Sequence, residues 1–130
     1  MIGIVIVAHG GLAREYLAAV EHVLGAQRNI RAVSIAAQED RDRKGREIEQ
    51  QAEAVDTGDG VIIVTDMFGG SPSNLSLPAL AKPDRRIVYG ANLPMLIKLV
   101  KSRHLSVPDA VDSALKAGRK YLDCFDAFGN

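Results

Sequence analysis

Three features of this 130-residue chain have the type and spacing to do chemistry: a histidine, an aspartate and a Gly-Gly-Ser-Pro turn. His9 closes the aliphatic run in GIVIVAHGG (3–11), and Gly10 and Gly11 follow it. A histidine inside a core sits within an apolar run. One that ends the run, beside two residues without side chains, lets a bulky group approach its ring. Asp66 closes a second run, VIIVTD (61–66), and MFGGSPSN (67–74) follows. A carboxylate beside an imidazole holds Nδ1–H and leaves the Nε2 lone pair facing outward in one tautomer. Ser71 suits an N-cap and Pro72 a first helical position, so a helix is expected to start there. Gly69 and Gly70 expose the backbone N–H groups before it. Glycines, a hydroxyl and a positive helix end together form an anion cradle. The turn is not a P-loop, since no lysine follows the glycines, and it lacks the dinucleotide-binding spacing. Alone, a strand-end histidine equally fits a capped core residue, and the turn an ordinary strand-to-helix connection. Together they point to a phosphoryl group on His9 Nε2, its oxygens held by Ser71 and the nearby amides. Neutral imidazole attacks a phosphoryl donor in line, and Asp66 keeps the tautomer and stabilises the charge that develops on the ring. This chemistry calls for no metal and no cofactor.

The elements that must position these groups alternate between strand and helix. Residues 2–8 form a nearly continuous aliphatic run, as expected of a strand covered on both faces. In the next stretch Leu12, Tyr16, Val20, Val23 and Leu24 recur at helical spacing, with Gly25 as a stop. A strand over 30–36, a polar helix over 41–55 with Ile48, Ala52 and Val55 inward, and a buried strand over 61–66 follow. The short helix from Ser71 contains Pro78, which removes the bond to the Asn74 carbonyl and should kink or shorten it. A strand over 86–90 and two more helices complete the pattern. The last helix is entered through Ser106–Asp109 with Pro108 in its first turn. YLDCFDAF (121–128) fits either an extension of that helix or a final strand, and the strand is favoured because Gly118 weakens the helix nearby. Strand–helix alternation predicts an α/β domain over 1–130, a three-layer sandwich with a mostly parallel sheet and helices on both faces. In such a sheet ligands bind beyond the carboxyl ends of the strands, where His9 and Asp66 fall.

Composition narrows the partners. The chain is 47% hydrophobic and 25% charged, with Lys+Arg and Asp+Glu both 16, so it reads as globular, with no electrostatic case for nucleic acid or an anionic membrane. The local excess RDRKGR (41–46) lies among Asp40, Asp42, Glu47 and Glu49 and reads as a solvated, salt-bridged helix face. Cys124 is the only cysteine, which excludes an internal disulfide and a thiolate metal cage. The apolar start lacks a basic leader and is too short to span a membrane, so the chain is expected to be soluble and cytoplasmic. His22 lies in an amphipathic helix. His104 closes another beside Lys101 and Arg103, where cations suit the dipole. Neither has ligand spacing to His9.

In its segments 4–25, 60–74 and 89–99 the sequence resembles the mannose-type enzyme IIA family of the bacterial phosphoenolpyruvate:sugar phosphotransferase system. The resemblance, in order and spacing, covers essentially the whole chain. It implies that His9 takes a phosphoryl group from the phosphocarrier protein HPr as a tele-phosphohistidine and passes it to an enzyme IIB (EIIB) or a regulatory target. It implies that Asp66 orients His9, that Gly69, Gly70 and Ser71 hold the phosphoryl group, and that Gly10 and Asn92, in the NLPM turn, line the pocket. It also implies a homodimer in which each C-terminal strand, over 121–128, pairs antiparallel with the partner's sheet. Two residues depart from the family pattern: Ser73, where phenylalanine is frequent in transporter versions, and Pro78. With no Ala/Pro-rich linker to a IIB domain before Asn130, the chain is expected to be a free-standing form. Met67 and Phe68 read as packing residues, or as part of an HPr docking surface.

Three other functions fit parts of the pattern. The phosphotransfer subunit of dihydroxyacetone kinase shares the fold and leading histidine but lacks Gly-Gly-Ser-Pro. A non-catalytic anion-binding module would use the same pocket with His9 as a contact. A receiver-like signalling domain needs an acidic pair that the first strand lacks.

Overall fold

In a computed structural model, which describes residues 1–38, 40–67 and 70–128, four parallel strands carry helices on both faces. The elements run β1 (Gly3–His9), α1 (Leu12–Leu24), β2 (Ile30–Ile35), α2 (Arg41–Val55), β3 (Val61–Thr65), α3 (Ser71–Ser76), a 3₁₀ turn (Leu77–Ala81), β4 (Arg85–Val88), α4 (Leu93–Lys101) and α5 (Val107–Lys120). Strand order is β2-β1-β3-β4. β1 therefore sits between β2 and β3, and the chain reverses its direction of travel across the sheet at the β1/β3 seam.

The aliphatic runs follow from this burial. Alternate residues of a strand point to opposite faces, so strands covered on both sides are apolar throughout. Ile4, Ile6 and Ala8 of β1, with Ile62 and Val64 of β3, pack under α1, α4 and α5 against Val20, Leu96, Leu99 and Ala114. Val5 and Val7, with Val61 and Ile63, pack on the other face against Ile48, Ala52 and Val55 of α2 and Leu75 of α3. Each fully buried aliphatic side chain contributes about 1.5–3 kcal/mol.

Pro78 acts as its chemistry requires. α3 stops at Ser76, the Asn74 carbonyl accepts from Leu77 N–H instead, and the chain continues as the 3₁₀ turn. α5 runs through Gly118 to Lys120, as the helical pattern requires. Gly118 is buried where α5 crosses α4, and a Cβ there would stand 3.1 Å from Met95 Cβ; the glycine permits the close approach. Beyond α5, residues 122–126 carry no strand in the single chain, which corrects the expectation of one. Leu122, Phe125 and Phe128 are exposed there. No helix among the described residues is long and apolar enough to cross a membrane.

Arg103 does not sit in solvent at the end of α4. It is 4% exposed, its Nε donates to Ile2 O at 2.7 Å and its Nη2 to Asn29 O at 2.9 Å. One side chain thus ties together the entries of β1 and β2, and burial holds its pKa below the usual arginine value. Asn29 O also accepts from Ile4 N–H at 3.1 Å, so the loss of Arg103 falls on the buried Ile2 carbonyl, and depriving that carbonyl of its donor outweighs the desolvation that the cation incurs. Arg103→Met is expected to cost about 2 kcal/mol in a urea titration; wild-type stability would show that the two effects cancel.

Candidate functional site

The register between β1 and β3 places Val7 opposite Thr65, so His9 and Asp66 leave the sheet side by side at its carboxyl edge. This is the point where strand order reverses, the position at which open α/β sheets bind ligands. His9 amide N–H donates to Asp66 Oδ2 at 3.0 Å, and its ring Nδ1 lies 2.8 Å from the same oxygen. With the carboxylate ionised, Nδ1 is the donor and Nε2 keeps its lone pair. The His9 side chain is 49% exposed and that of Asp66 11%, so the acid is sheltered while the reactive edge of the ring meets solvent. Burial pushes the Asp66 pKa up, but the amide and ring N–H of His9 outweigh it and hold the carboxyl below its ordinary value.

His9 shares the strand parity of Val5 and Val7, which directs its ring toward the layer that holds α2 and α3. There it meets Gly70: a Cβ on that residue would lie 3.2 Å from His9 Cε1 and 3.6 Å from Nε2. Glycine at 70 thus leaves the space that a group on Nε2 would occupy. Gly70 itself, in extended backbone, is the N-cap of α3. This corrects the expectation that Ser71 would cap; Ser71 is the first helical residue. Ser71 Oγ instead accepts from Arg41 Nη1 at 3.3 Å, across from the start of α2. Gly69 and Phe68 lie outside the described residues.

Gly10 takes a left-handed φ of +55°, a conformation that costs an L-residue about 1–2 kcal/mol, and its N–H donates to Ile35 O at 2.9 Å. This turn carries the chain away from His9 into α1. From α1, Tyr16 Oη donates to Ala91 O at 3.0 Å, and Ala91 N–H donates to Thr65 O at 3.1 Å. Burial first, and the Asp66 charge second, raise the Tyr16 pKa. The periodicity identified Tyr16 only as a core-facing residue, so its tie to the loops around Asp66 was not legible. Asn92 Oδ1 accepts from Met95 N–H and its Nδ2 donates to Gly118 O, both at 2.9 Å. It caps α4 and pins α5. Met67, beside Asp66, is 54% exposed.

Residues 3–115 match the family model EIIA-man, described as "PTS system fructose IIA component". The chain is 31% identical over 129 residues to the PTS system mannose-specific EIIAB component of Escherichia coli (strain K12), covering 97% of this chain and 40% of that protein. It therefore spans about two-fifths of that relative's length. It is also 28% identical over 120 residues to the sorbose-specific EIIA component of Lacticaseibacillus casei, covering 91% of this chain and 86% of the relative. The crystal structure of phosphotransferase system component EIIA from Streptococcus agalactiae superposes with a TM-score of 0.85 at 26% identity, covering 95% of this chain and 97% of that one.

With the His9 ring neutral, ¹⁵N NMR is expected to find a protonated Nδ1 and a bare Nε2; the opposite tautomer would break the described geometry. The same titration should place the Asp66 carboxyl below the ordinary 3.8. A depressed folded pKa means its stabilising contribution is fully present above 3.8 and is lost as pH falls through the folded value.

Proposed function

Because the chain belongs to the EIIA-man family of phosphotransferase-system IIA components, we propose that it carries a phosphoryl group on His9 Nε2, taken from phospho-HPr and delivered to an enzyme IIB domain or held as a regulatory signal. The observation that carries this reading is the 2.8 Å contact of His9 Nδ1 with Asp66 Oδ2, with Gly70 and the start of α3 beside Nε2. The EIIAB name of the Escherichia coli relative supports a IIB acceptor. The unit that acts is a single EIIA domain over 1–130, working in the cytoplasm.

In the accepting step the Nε2 lone pair attacks phosphorus in line. The N–P bond forms as the bond from phosphorus to the donor breaks, and that electron pair leaves with the donor. Asp66 steadies the cationic character that grows on the ring, through a bond already in place before reaction. The three phosphoryl oxygens spread their charge toward Ser71 Oγ and the amides at the start of α3, including that of Gly70; the resemblance adds Gly69 to this set. Gly10 keeps the opposite flank open. Delivery to the acceptor is the same displacement in reverse, with His9 as the leaving group.

The chain acts as a homodimer. Among the described residues β4 has only β3 as a neighbour, and the exposed apolar side chains Leu122, Phe125 and Phe128 follow α5. Pairing of that segment with the partner's sheet would bury both.

Incubation with phosphoenolpyruvate, enzyme I and HPr is expected to place an acid-labile phosphate on the protein, absent from His9→Ala. Asp66→Asn should label about tenfold to a hundredfold more slowly, as when the partner that orients a functional histidine is removed. An unlabelled wild type would favour the anion-binding module. Truncation after Lys120 is expected to yield a monomer in sedimentation; a truncated chain that still dimerises would remove the C-terminal segment from the interface.

A further inference from the structure

Arg41 stands where a helix least welcomes it. It is the first residue of α2, next to the N-cap Asp40, whose side chain accepts from Arg43 N–H at 3.2 Å. A cation in the first turn faces the positive end of the helix dipole, an unfavourable arrangement. Its neighbour Lys44 pairs within the helix, with Glu47 at 3.2 Å. Arg41 instead reaches 30 residues along the chain to Ser71 Oγ. Ser71 directly follows Gly70, whose absent Cβ would lie 3.6 Å from His9 Nε2. The guanidinium is thus separated from the transfer site by one hydroxyl.

The charge balance calls for such a group. Phosphorylation adds a dianion beside Asp66, whose carboxylate is already sheltered there. α3 spans only six residues, so its dipole is small, and its N–H groups are neutral donors. Arginine supplies a full positive charge and a planar fork matched to phosphoryl oxygens. At 3.3 Å and on an exposed side chain, the bond to Ser71 is long and easily exchanged for a charge-assisted one.

We infer that Arg41 is a phosphoryl-binding residue, its guanidinium bonding one oxygen of the group on His9 while Ser71 bonds another. This rests on the phosphohistidine reading of His9. Arg41 takes no part in bond making: as N–P forms and the donor bond breaks, it neutralises charge on the peripheral oxygens. It also lowers the energy of the phosphorylated state, so both acceptance and retention depend on it.

The test compares wild type, Arg41→Ala and Arg41→Lys in the enzyme I/HPr labelling assay, and follows the phosphohistidine by ³¹P NMR across pH. Arg41→Ala is expected to accept label about tenfold more slowly, with Arg41→Lys restoring part of the rate, since lysine keeps the charge and loses the fork. The final ionisation of the phosphoryl group should move to higher pH in Arg41→Ala, because the dianion loses a cation. Wild-type rates with an unmoved titration overturn the role of Arg41 while leaving His9 intact. A slower rate that Arg41→Lys does not restore, with an unmoved titration, marks a structural effect and also overturns it. Failure of the wild type to take label overturns the His9 reading itself, and this one with it.

Discussion

Two N–H groups of one residue, the amide and the ring of His9, converge on a single oxygen of Asp66. The amide bond locks the ends of β1 and β3 together, and the ring bond decides which nitrogen keeps a lone pair. Everything else at the carboxyl edge is arranged around that couple. Were the two strands not neighbours, the acid would hold neither the chain nor the tautomer. A neutral imidazole would then divide itself between two protonation patterns, and its reactive nitrogen would point in no fixed direction.

Burial on both sheet faces makes the couple rigid. β1 and β3 are apolar throughout and covered above and below, so the platform beneath His9 has little freedom to shift. The groups that must remain adaptable lie just outside it: the Gly10 turn, the Gly70 cap and the short α3. Pro78 keeps α3 short, which leaves its N-terminal donors on a compact, separate segment rather than at the head of a long helix. At the opposite edge, Arg103 gathers Ile2 and Asn29, so the strands are tied at their entry as well as at their exit.

Much of this was legible along the chain. The continuous aliphatic runs predicted strands buried on both faces, because only a sheet sandwiched between helices leaves no polar side. Ser106 and Pro108 marked the start of α5, and Pro78 marked the end of α3, since these depend on bonds within one or two turns. That Gly118 permits a close approach to α4 was not legible, because helix propensity does not register such contacts. Ser71 was assigned a cap that Gly70 supplies, a shift of one residue at an element boundary. Arg41 was read as one charge in a solvated face, since its partner lies 30 residues away. Arg103 was grouped with surface cations for the same reason.

The order of strands and helices along the chain and the inward stripe of α2 (Ile48, Ala52 and Val55) followed from the sequence, because periodicity is a local property; in α1 the same periodicity also picked out Leu12 and Val23, which the fold leaves exposed. That β1 lies against β3, that one carboxylate oxygen receives two bonds from His9, and that Arg41 meets Ser71 belong to the folded molecule alone. These are contacts between residues remote in the chain, set by sheet order and helix placement, and no local pattern encodes which remote residues will touch.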